Sequence, residues 1–179
     1  MLGEEEISRE EIYSGVVFDA FKLKVRTEDN SIAEREIVEH NGGAAIIALN
    51  SDNEIYLVKQ YRTAAAKIMY EIPAGKLEKG EDAKTCAFRE LEEEVGLKAS
   101  SLDFIYAFYP TPGYSSEIIY IYYADDFTKT KQHLDKDEFI EVETVSLDKA
   151  VEMIKNGEII DGKTVVAILL LYNKLNEGK

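Results

Sequence analysis

The stretch that decides the fold of this 179-residue chain is GKLEKGEDAKTCAFRELEEEVGL, residues 75–97. Its apolar side chains recur at helical spacing, at Ala87, Phe88, Leu91 and Val95. Gly96 follows where a helix commonly ends, because glycine readily adopts the left-handed backbone of a C-terminal cap. We therefore predict a helix from about Glu81 to Val95, preceded by a loop that contains Gly75.

The predicted helix carries a cluster of carboxylates. Glu90 and Glu94 lie four residues apart and so share one face, with about 5–6 Å between Cβ atoms, and Glu93 flanks them. Like charges at this spacing oppose helix formation by roughly 0.2–0.5 kcal/mol per pair. The cluster is either an acidic face in contact with solvent or a site for a bound cation. For a cation, hard oxygen ligands select Mg²⁺, Mn²⁺ or Ca²⁺ rather than zinc.

The rest of the segment favours the cation site. It follows the pattern G-x5-E-x7-R-E-U-x-E-E-x-G-U, in which U is aliphatic, with Gly75, Glu81, Arg89, Glu90, Leu91, Glu93, Glu94, Gly96 and Leu97. In this it resembles the Nudix box of the Nudix hydrolase family without a departure.

The resemblance implies a loop–helix–loop that binds a divalent metal, Mg²⁺ or Mn²⁺. The implied ligands are three carboxylates and, as in some relatives, the backbone carbonyl before the box glycine: Glu90, Glu93, Glu94 and Ala74. Glu81 and Arg89 would hold the box in shape, and with Glu93 they are the catalytic candidates within it. Bound metal can bridge a diphosphate and lower the pKa of a water molecule that attacks phosphorus.

Two segments outside the box bear on the substrate. The run PTPGYSSE, residues 110–117, places Pro112 where a proline marks ADP-ribose pyrophosphatases within the family, and Glu117 closes the run. The alternative is an ordinary Pro-Gly turn between two strands. Lys59 to Arg62 and Glu71 to Gly75 resemble the approach to the box in ADP-ribose hydrolases.

By that resemblance, Arg62 would contact the phosphate or terminal ribose, and Glu71 the nucleotide side. The planar guanidinium of arginine suits phosphate oxygens. The alternative for Arg62 is a surface ion pair in an acidic protein.

A further carboxylate belongs to the run LDKDEFIEV, residues 134–142. Nudix enzymes that act on sugar nucleotides commonly place a catalytic or metal-binding glutamate in a loop here, which implies Glu138. Glu141, which alternates with Phe139 along the following strand, is the second choice. A loop carboxylate that arrives with substrate is a reasonable general base.

Composition limits the other classes of function. Asp and Glu number 35 against 21 Lys and Arg, a formal net charge of -14, which disfavours nucleic-acid binding. A single cysteine, Cys86, excludes an intramolecular disulfide. The acidic first residues do not resemble a secretory signal, and the longest apolar run, Val165 to Tyr172, is too short to span a bilayer. We expect a cytoplasmic protein without a membrane partner.

The order of the remaining elements indicates an α/β or α+β fold. Alternating and apolar runs predict strands at residues 12–18, 21–25, 35–39, 44–49, 55–61, 102–108, 118–123 and 139–145. We expect residues 55–61 to form a hairpin with 44–49. Helices are predicted at 148–156 and 163–176. The resemblance implies a mixed sheet sandwiched between helices over residues 39–179, and an antiparallel β extension over 1–38 that pairs two subunits in a homodimer.

Together these features predict metal-dependent hydrolysis of ADP-ribose to AMP and ribose 5-phosphate. Within the family, the alternative is another sugar nucleotide or a damaged nucleoside triphosphate. From a different class, the alternative is a non-catalytic module that binds ADP-ribose as a sensor. Such a module would be expected to lose box carboxylates, which this chain retains.

Overall fold

The computed structural model describes residues 3–136 and 138–177. Within these ranges the chain forms twelve strands, three α-helices and a π-helical turn. The strands are β1 (Glu5–Ser14), β2 (Asp19–Arg26), β3 (Ile32–Glu39), β4 (Gly43–Ala48), β5 (Glu54–Arg62), β6 (Lys67–Glu71), β7 (Ala74–Lys76), β8 (Leu97–Ala99), β9 (Asp103–Phe108), β10 (Ile119–Ala124), β11 (Phe127–Lys129) and β12 (Glu141–Ser146). The helices are α1 (Ala83–Glu90), α2 (Leu147–Lys155) and α3 (Gly162–Asn176), and the π-helical turn is Leu91–Val95.

Two compact units can be distinguished. The first comprises the described residues up to Gly42 together with Phe108–Ile118. Its antiparallel sheet has the order β1-β2-β3, which confirms the predicted β-rich N-terminal region. The prediction of a strand at residues 12–18 was wrong at its end: β1 stops at Ser14, because the chain turns there and the Gly15 amide donates to the Phe18 carbonyl (3.1 Å). The functional division into 1–38 and 39–179 stays a prediction.

The second unit, Gly43–Ala107 with the described residues from Ile119 onward, is centred on β4. Every residue of β4 is buried, as its continuous apolar run predicts. The strand pairs in parallel with β10 and antiparallel with β7, in a sheet of order β7-β4-β10-β9. Both α1 and α3 contact β4. The predicted mixed sheet between helices is therefore confirmed.

The expected hairpin between β4 and β5 was wrong. One isolated bridge, Leu49 to Ile55, joins the two segments, and β5 then enters another antiparallel sheet, β12-β5-β6. Both segments were correctly predicted as strands, but the apolar pattern of a strand does not encode which strand is its neighbour. A short two-stranded sheet, β11-β8, completes the strands of this unit.

Side-chain caps fix the starts of the helices. Asp82, Ser146 and Asp161 each accept a hydrogen bond from the backbone amide three residues later, so each satisfies an amide of the first turn. The first helix accordingly begins at Ala83 rather than at Glu81. Within the described residues, no helix is long and apolar enough to cross a membrane.

Candidate active site

The box helix changes its winding just where its carboxylates cluster. After α1 ends at Glu90, a π-helical turn carries Glu92, Glu93 and Glu94, and Gly96 closes it with φ +70°. The regular helix predicted to Val95 is therefore interrupted. Such turns occur mostly as local bulges within α-helices and frequently at functional sites.

Hydrogen bonds from a later loop fix the end of this turn. The backbone amide of His133 donates to the Glu93 carbonyl (2.9 Å), and the side-chain amide of Gln132 donates to the Glu94 carbonyl (2.7 Å). The amide of Thr130 donates to the Gly96 carbonyl (2.8 Å). The loop that leads to Glu138 is thus attached to the helix end that carries the acidic cluster.

Arg89 binds the carboxylates of the box together. Its Nε and Nη2 donate to the two oxygens of Glu81 (3.2 Å each), and its Nη1 donates to Glu90 (2.6 Å) and Glu93 (3.0 Å). Glu81 also accepts from the Glu78 backbone amide (2.9 Å). The hydrogen bond from Arg89 lowers the pKa of Glu81, so this carboxylate stays ionised and pins the loop to the helix. Arg89 thus joins the loop to the helix, and the part of Glu81 and Arg89 in the reaction stays a prediction.

The box glycine gives space to a carboxylate. A Cβ built on Gly75 would lie 1.7 Å from Oε1 of Glu90 and 1.9 Å from its Cδ, far inside contact distance. Any side chain at residue 75 must therefore displace the Glu90 carboxylate. Glycine is required at this position for close approach, and not for an unusual backbone angle.

We expect Gly75→Ala to weaken binding of divalent metal by about 10- to 100-fold, the range typical for mutation of residues that orient a metal ligand without binding the metal themselves. Because Glu90 can rotate away, the free energy of unfolding should change much less than metal affinity. Mn²⁺ titration followed by electron paramagnetic resonance measures the affinity. Gly113→Ala is the matched control, since a Cβ there meets no atom within 4 Å. Unchanged Mn²⁺ affinity in Gly75→Ala would argue against Glu90 as a ligand.

Glu94 is the most deeply buried carboxylate of the cluster. Its side chain is 4% exposed and accepts a hydrogen bond from the Ala74 amide (2.9 Å). Burial, together with the charges of Glu90 and Glu138, raises its pKa to about 8. Burial and the charges of Glu93 and Glu138 likewise raise the pKa of Glu90, although Arg89 opposes the shift. The two groups share an excess of negative charge in a poorly solvated place.

Glu138 acts electrostatically on this cluster, because its charge contributes to the raised pKa of both Glu90 and Glu94. Its own side chain accepts from the Asp135 amide (3.2 Å) in a loop whose start is held by the box helix. Glu141, the second choice, is at the first position of β12, opposite Lys59, and its side chain is 83% exposed. Of the two, the structure relates Glu138 to the acidic cluster.

Arg62 and Glu71 form a bidentate ion pair. Nε and Nη2 of Arg62 each lie 2.6 Å from a Glu71 oxygen, and Lys163 binds the same carboxylate from α3. Burial would raise the pKa of Glu71, but its hydrogen bonds and charge interactions with Arg62 and Lys163 lower it. Arg62 is 42% exposed and interacts electrostatically with Glu94. The structure therefore shows Arg62 in an ion pair, as the alternative interpretation expected, and its contact with phosphate stays a prediction.

The donor set suits a hard divalent cation. Within residues 3–136 and 138–177, no three carboxylate, imidazole or thiolate side chains are already arranged around a space for a metal ion. Arg89 binds Glu90 and Glu93. Burial and neighbouring negative charge nevertheless raise the pKa of both Glu90 and Glu94, so a cation between these carboxylates would stabilise their ionised forms. Oxygen ligands of this kind fit Mg²⁺ and Mn²⁺. These residues therefore fit the expected metal.

The remaining predicted residues lie in the first compact unit. Pro112 is in the turn closed by the amides of Tyr114 and Ser115, both of which donate to the Thr111 carbonyl (3.3 and 3.0 Å). The Glu117 carboxylate lies 3.8 Å from Nδ1 of His40. Their part in substrate binding stays a prediction. Sequence reasoning missed Lys163 and Gln132, which belong to no motif and act through contacts distant in sequence.

The sequence matches the family described as "NUDIX domain" over residues 39–167. It is 41% identical over 175 residues to an ADP-ribose pyrophosphatase of Bacillus subtilis (strain 168), covering 97% of this chain and 95% of the relative. It is also 41% identical over 170 residues to a methanol dehydrogenase activator of Bacillus methanolicus, covering 94% and 92% of the two chains. The likeness therefore extends well beyond the box.

A crystal structure of an ADP compounds hydrolase has the same fold. It superposes with a TM-score of 0.85, at 20% sequence identity, and the match covers 99% of this chain and 97% of the other. At this level of identity the likeness supports the fold alone.

Proposed function

Because the chain belongs to the Nudix family, we propose that it hydrolyses the pyrophosphate bond of ADP-ribose to AMP and ribose 5-phosphate. The observation that carries the proposal is the intact box, in which Glu90 and Glu94 combine burial, mutual repulsion and raised pKa values beside Arg62. A purely structural acidic face would leave its carboxylates in solvent. The name of the Bacillus subtilis relative supports ADP-ribose as the substrate.

Mg²⁺ or Mn²⁺ would be held by the carboxylates of Glu90, Glu93 and Glu94 and the carbonyl of Ala74. When bound, the cation supplies positive charge for the diphosphate oxygens and lowers the pKa of a water molecule. Arg89 and Glu81 keep the box helix and its loop in register. Arg62 offers its outer N–H groups to a phosphate or to the terminal ribose, and Glu71 fixes the plane of its guanidinium.

Glu138 is the proposed general base. Its negative charge acts on Glu90 and Glu94, and its loop is anchored to the box helix. From this position it would accept a proton from the attacking water as the bond to phosphorus forms. AMP and ribose 5-phosphate then leave as the bridging P–O bond breaks.

A turnover panel tests the substrate assignment. We expect ADP-ribose to give the highest kcat/KM among ADP-ribose, ADP-glucose, GDP-mannose, FAD, NADH and 8-oxo-dGTP. We also expect turnover to cease when a chelator removes divalent metal and to return with Mg²⁺, because carboxylates alone repel the substrate. Liberated AMP and ribose 5-phosphate are measured by chromatography.

The same panel separates the alternatives. A higher kcat/KM with another compound would assign a different nucleotide substrate within the family. Tight binding of ADP-ribose by calorimetry, with no turnover in Mg²⁺ or Mn²⁺, would instead identify a sensor module. Turnover that persists in chelator would exclude the metal-dependent mechanism.

We further propose a homodimer and a cytoplasmic location. Each residue of β1 is exposed in the single chain, and Ile7, Ile12 and Tyr13 on it are 46%, 59% and 53% exposed. Apolar side chains in an edge strand favour association with another chain. The absence of a second cysteine agrees with a reducing compartment. Light scattering at known concentration measures the mass, and a monomer would exclude the dimer.

A further inference from the structure

A chain of hydrogen bonds runs from the exposed guanidinium of Arg62 to the start of α3. Arg62 donates twice to Glu71, which is 1% exposed. Lys163 donates to the same carboxylate and also to Asp161 (3.1 Å). Asp161 in turn accepts from the amide (3.0 Å) and the hydroxyl (2.6 Å) of Thr164. The four charged groups alternate in sign, and Arg62 stands at the outer end.

The same series of hydrogen bonds also holds the segment between β6 and β7, which leads into the box. The hydroxyl of Thr164, which is fully buried, accepts a hydrogen bond from the Ile72 amide (2.9 Å). Two residues later, the Ala74 amide donates to Glu94. One end of α3 therefore supports both the carboxylate that binds Arg62 and the backbone that contacts the acidic cluster.

Lys163 is the second cation of this group, and it balances the second carboxylate, Asp161. Arg62 and Glu71 alone would neutralise one another, and Asp161 would add a negative charge next to a site for an anionic ligand. Lys163 is 13% exposed and offsets this negative charge from the buried side. Within the described residues, the remaining N–H groups of Arg62 have no hydrogen-bond acceptor, so they stay open to a ligand.

We propose that Lys163 is a positioning residue for substrate: by binding Glu71 against α3, it keeps the outer face of Arg62 fixed for the diphosphate group and offsets the negative charge of Asp161. The inference rests on the proposed function. It assigns Lys163 no contact with the substrate and no part in the chemical step. Its effect must therefore pass through Arg62, and it must be seen in binding more than in turnover.

Lys163→Met is expected to raise KM for ADP-ribose by about tenfold or more while kcat changes less than about threefold, the pattern of a lost binding interaction. The calorimetric dissociation constant should rise in parallel. Lys163→Arg should restore most of the affinity, since it keeps a cation at this position. Lys149→Met is the matched control, because Lys149 forms an exposed ion pair with Glu152 on α2.

The decisive comparison uses an Arg62→Ala background. If Lys163 acts through Arg62, adding Lys163→Met to Arg62→Ala should leave KM nearly unchanged. A further rise of similar size in that background would overturn the inference, because it would mean direct contact or a general structural effect. An equal fall of kcat in both backgrounds would also overturn it.

Two controls keep the outcome readable. If Lys163→Met does not fold, Lys163→Gln, which keeps a donor for Glu71 without the charge, replaces it in the same comparisons. If wild type hydrolyses ADP-ribose and the Lys163 variants keep the wild-type KM, the role proposed for Lys163 is rejected, while the proposed function stands. Wild-type protein that neither binds nor hydrolyses ADP-ribose or any other compound of the panel would reject the proposed function and this inference with it.

Discussion

Glu94→Gln is expected to lower kcat for ADP-ribose by about three orders of magnitude, because losing one of the proposed metal ligands would remove several kcal/mol of transition-state stabilisation. The neutral amide cannot replace the charge of the carboxylate toward a divalent cation. It can still accept the hydrogen bond that the Ala74 amide donates to Glu94. The fold should therefore persist, and the loss should reflect chemistry rather than unfolding.

The same substitution should stabilise the protein when metal is absent. The pKa of Glu94 is raised from an ordinary 4.5 to about 8, chiefly by burial, so the folded state favours its protonated form. Glu94 therefore makes its full contribution to the free energy of unfolding below pH 4.5. This contribution is lost as pH rises from 4.5 to about 8. Glutamine does not titrate, so the variant escapes this loss.

Thermal unfolding in chelator measures this second effect. At pH 8 we expect the Tm of Glu94→Gln to exceed that of wild type by about 5 °C or more, and the difference to shrink toward pH 4.5. Added Mg²⁺ should stabilise wild type far more than the variant. Glu92→Gln is the matched control, since Glu92 occupies an unspecified position of the box. Full activity of Glu94→Gln with Mg²⁺ would refute the metal assignment.

Most of the box could be predicted from the sequence because its constraints are local. Glu90 and Glu94 are four residues apart in the sequence and interact electrostatically, and Gly75 is required because the Glu90 carboxylate occupies its Cβ position. The core position of β4 could be predicted too, since an uninterrupted apolar run must avoid water on both faces.

The parts that escaped prediction depend on contacts between distant segments. The π-helical turn is held by a loop some forty residues further on, through Gln132 and His133. Lys163 reaches Glu71 across a separation of 92 residues. The pairing of β5 with β12 and β6, rather than with β4, depends on the whole sheet. Periodicity within a segment contains none of this information.

Glu138→Gln carries the second large effect: we expect kcat to fall by about 10²- to 10⁴-fold, the usual contribution of a general base, with KM changed less than about threefold. The reason lies in the difference between this carboxylate and those of the box. Glu138 interacts electrostatically with Glu90 and Glu94. It lies in a loop that is hydrogen-bonded at its start to the end of the box helix. As the proposed base, it would approach the attacking water from this loop and not from the helix.

Glu141→Gln is the matched control for this prediction. It removes the same charge at a residue three positions further along the chain, whose exposed side chain lies opposite Lys59. If Glu138→Gln raises KM while leaving kcat intact, Glu138 binds substrate instead. If Glu141→Gln shows the larger loss of kcat, the base is on β12 and the loop serves only to bring that strand to the site.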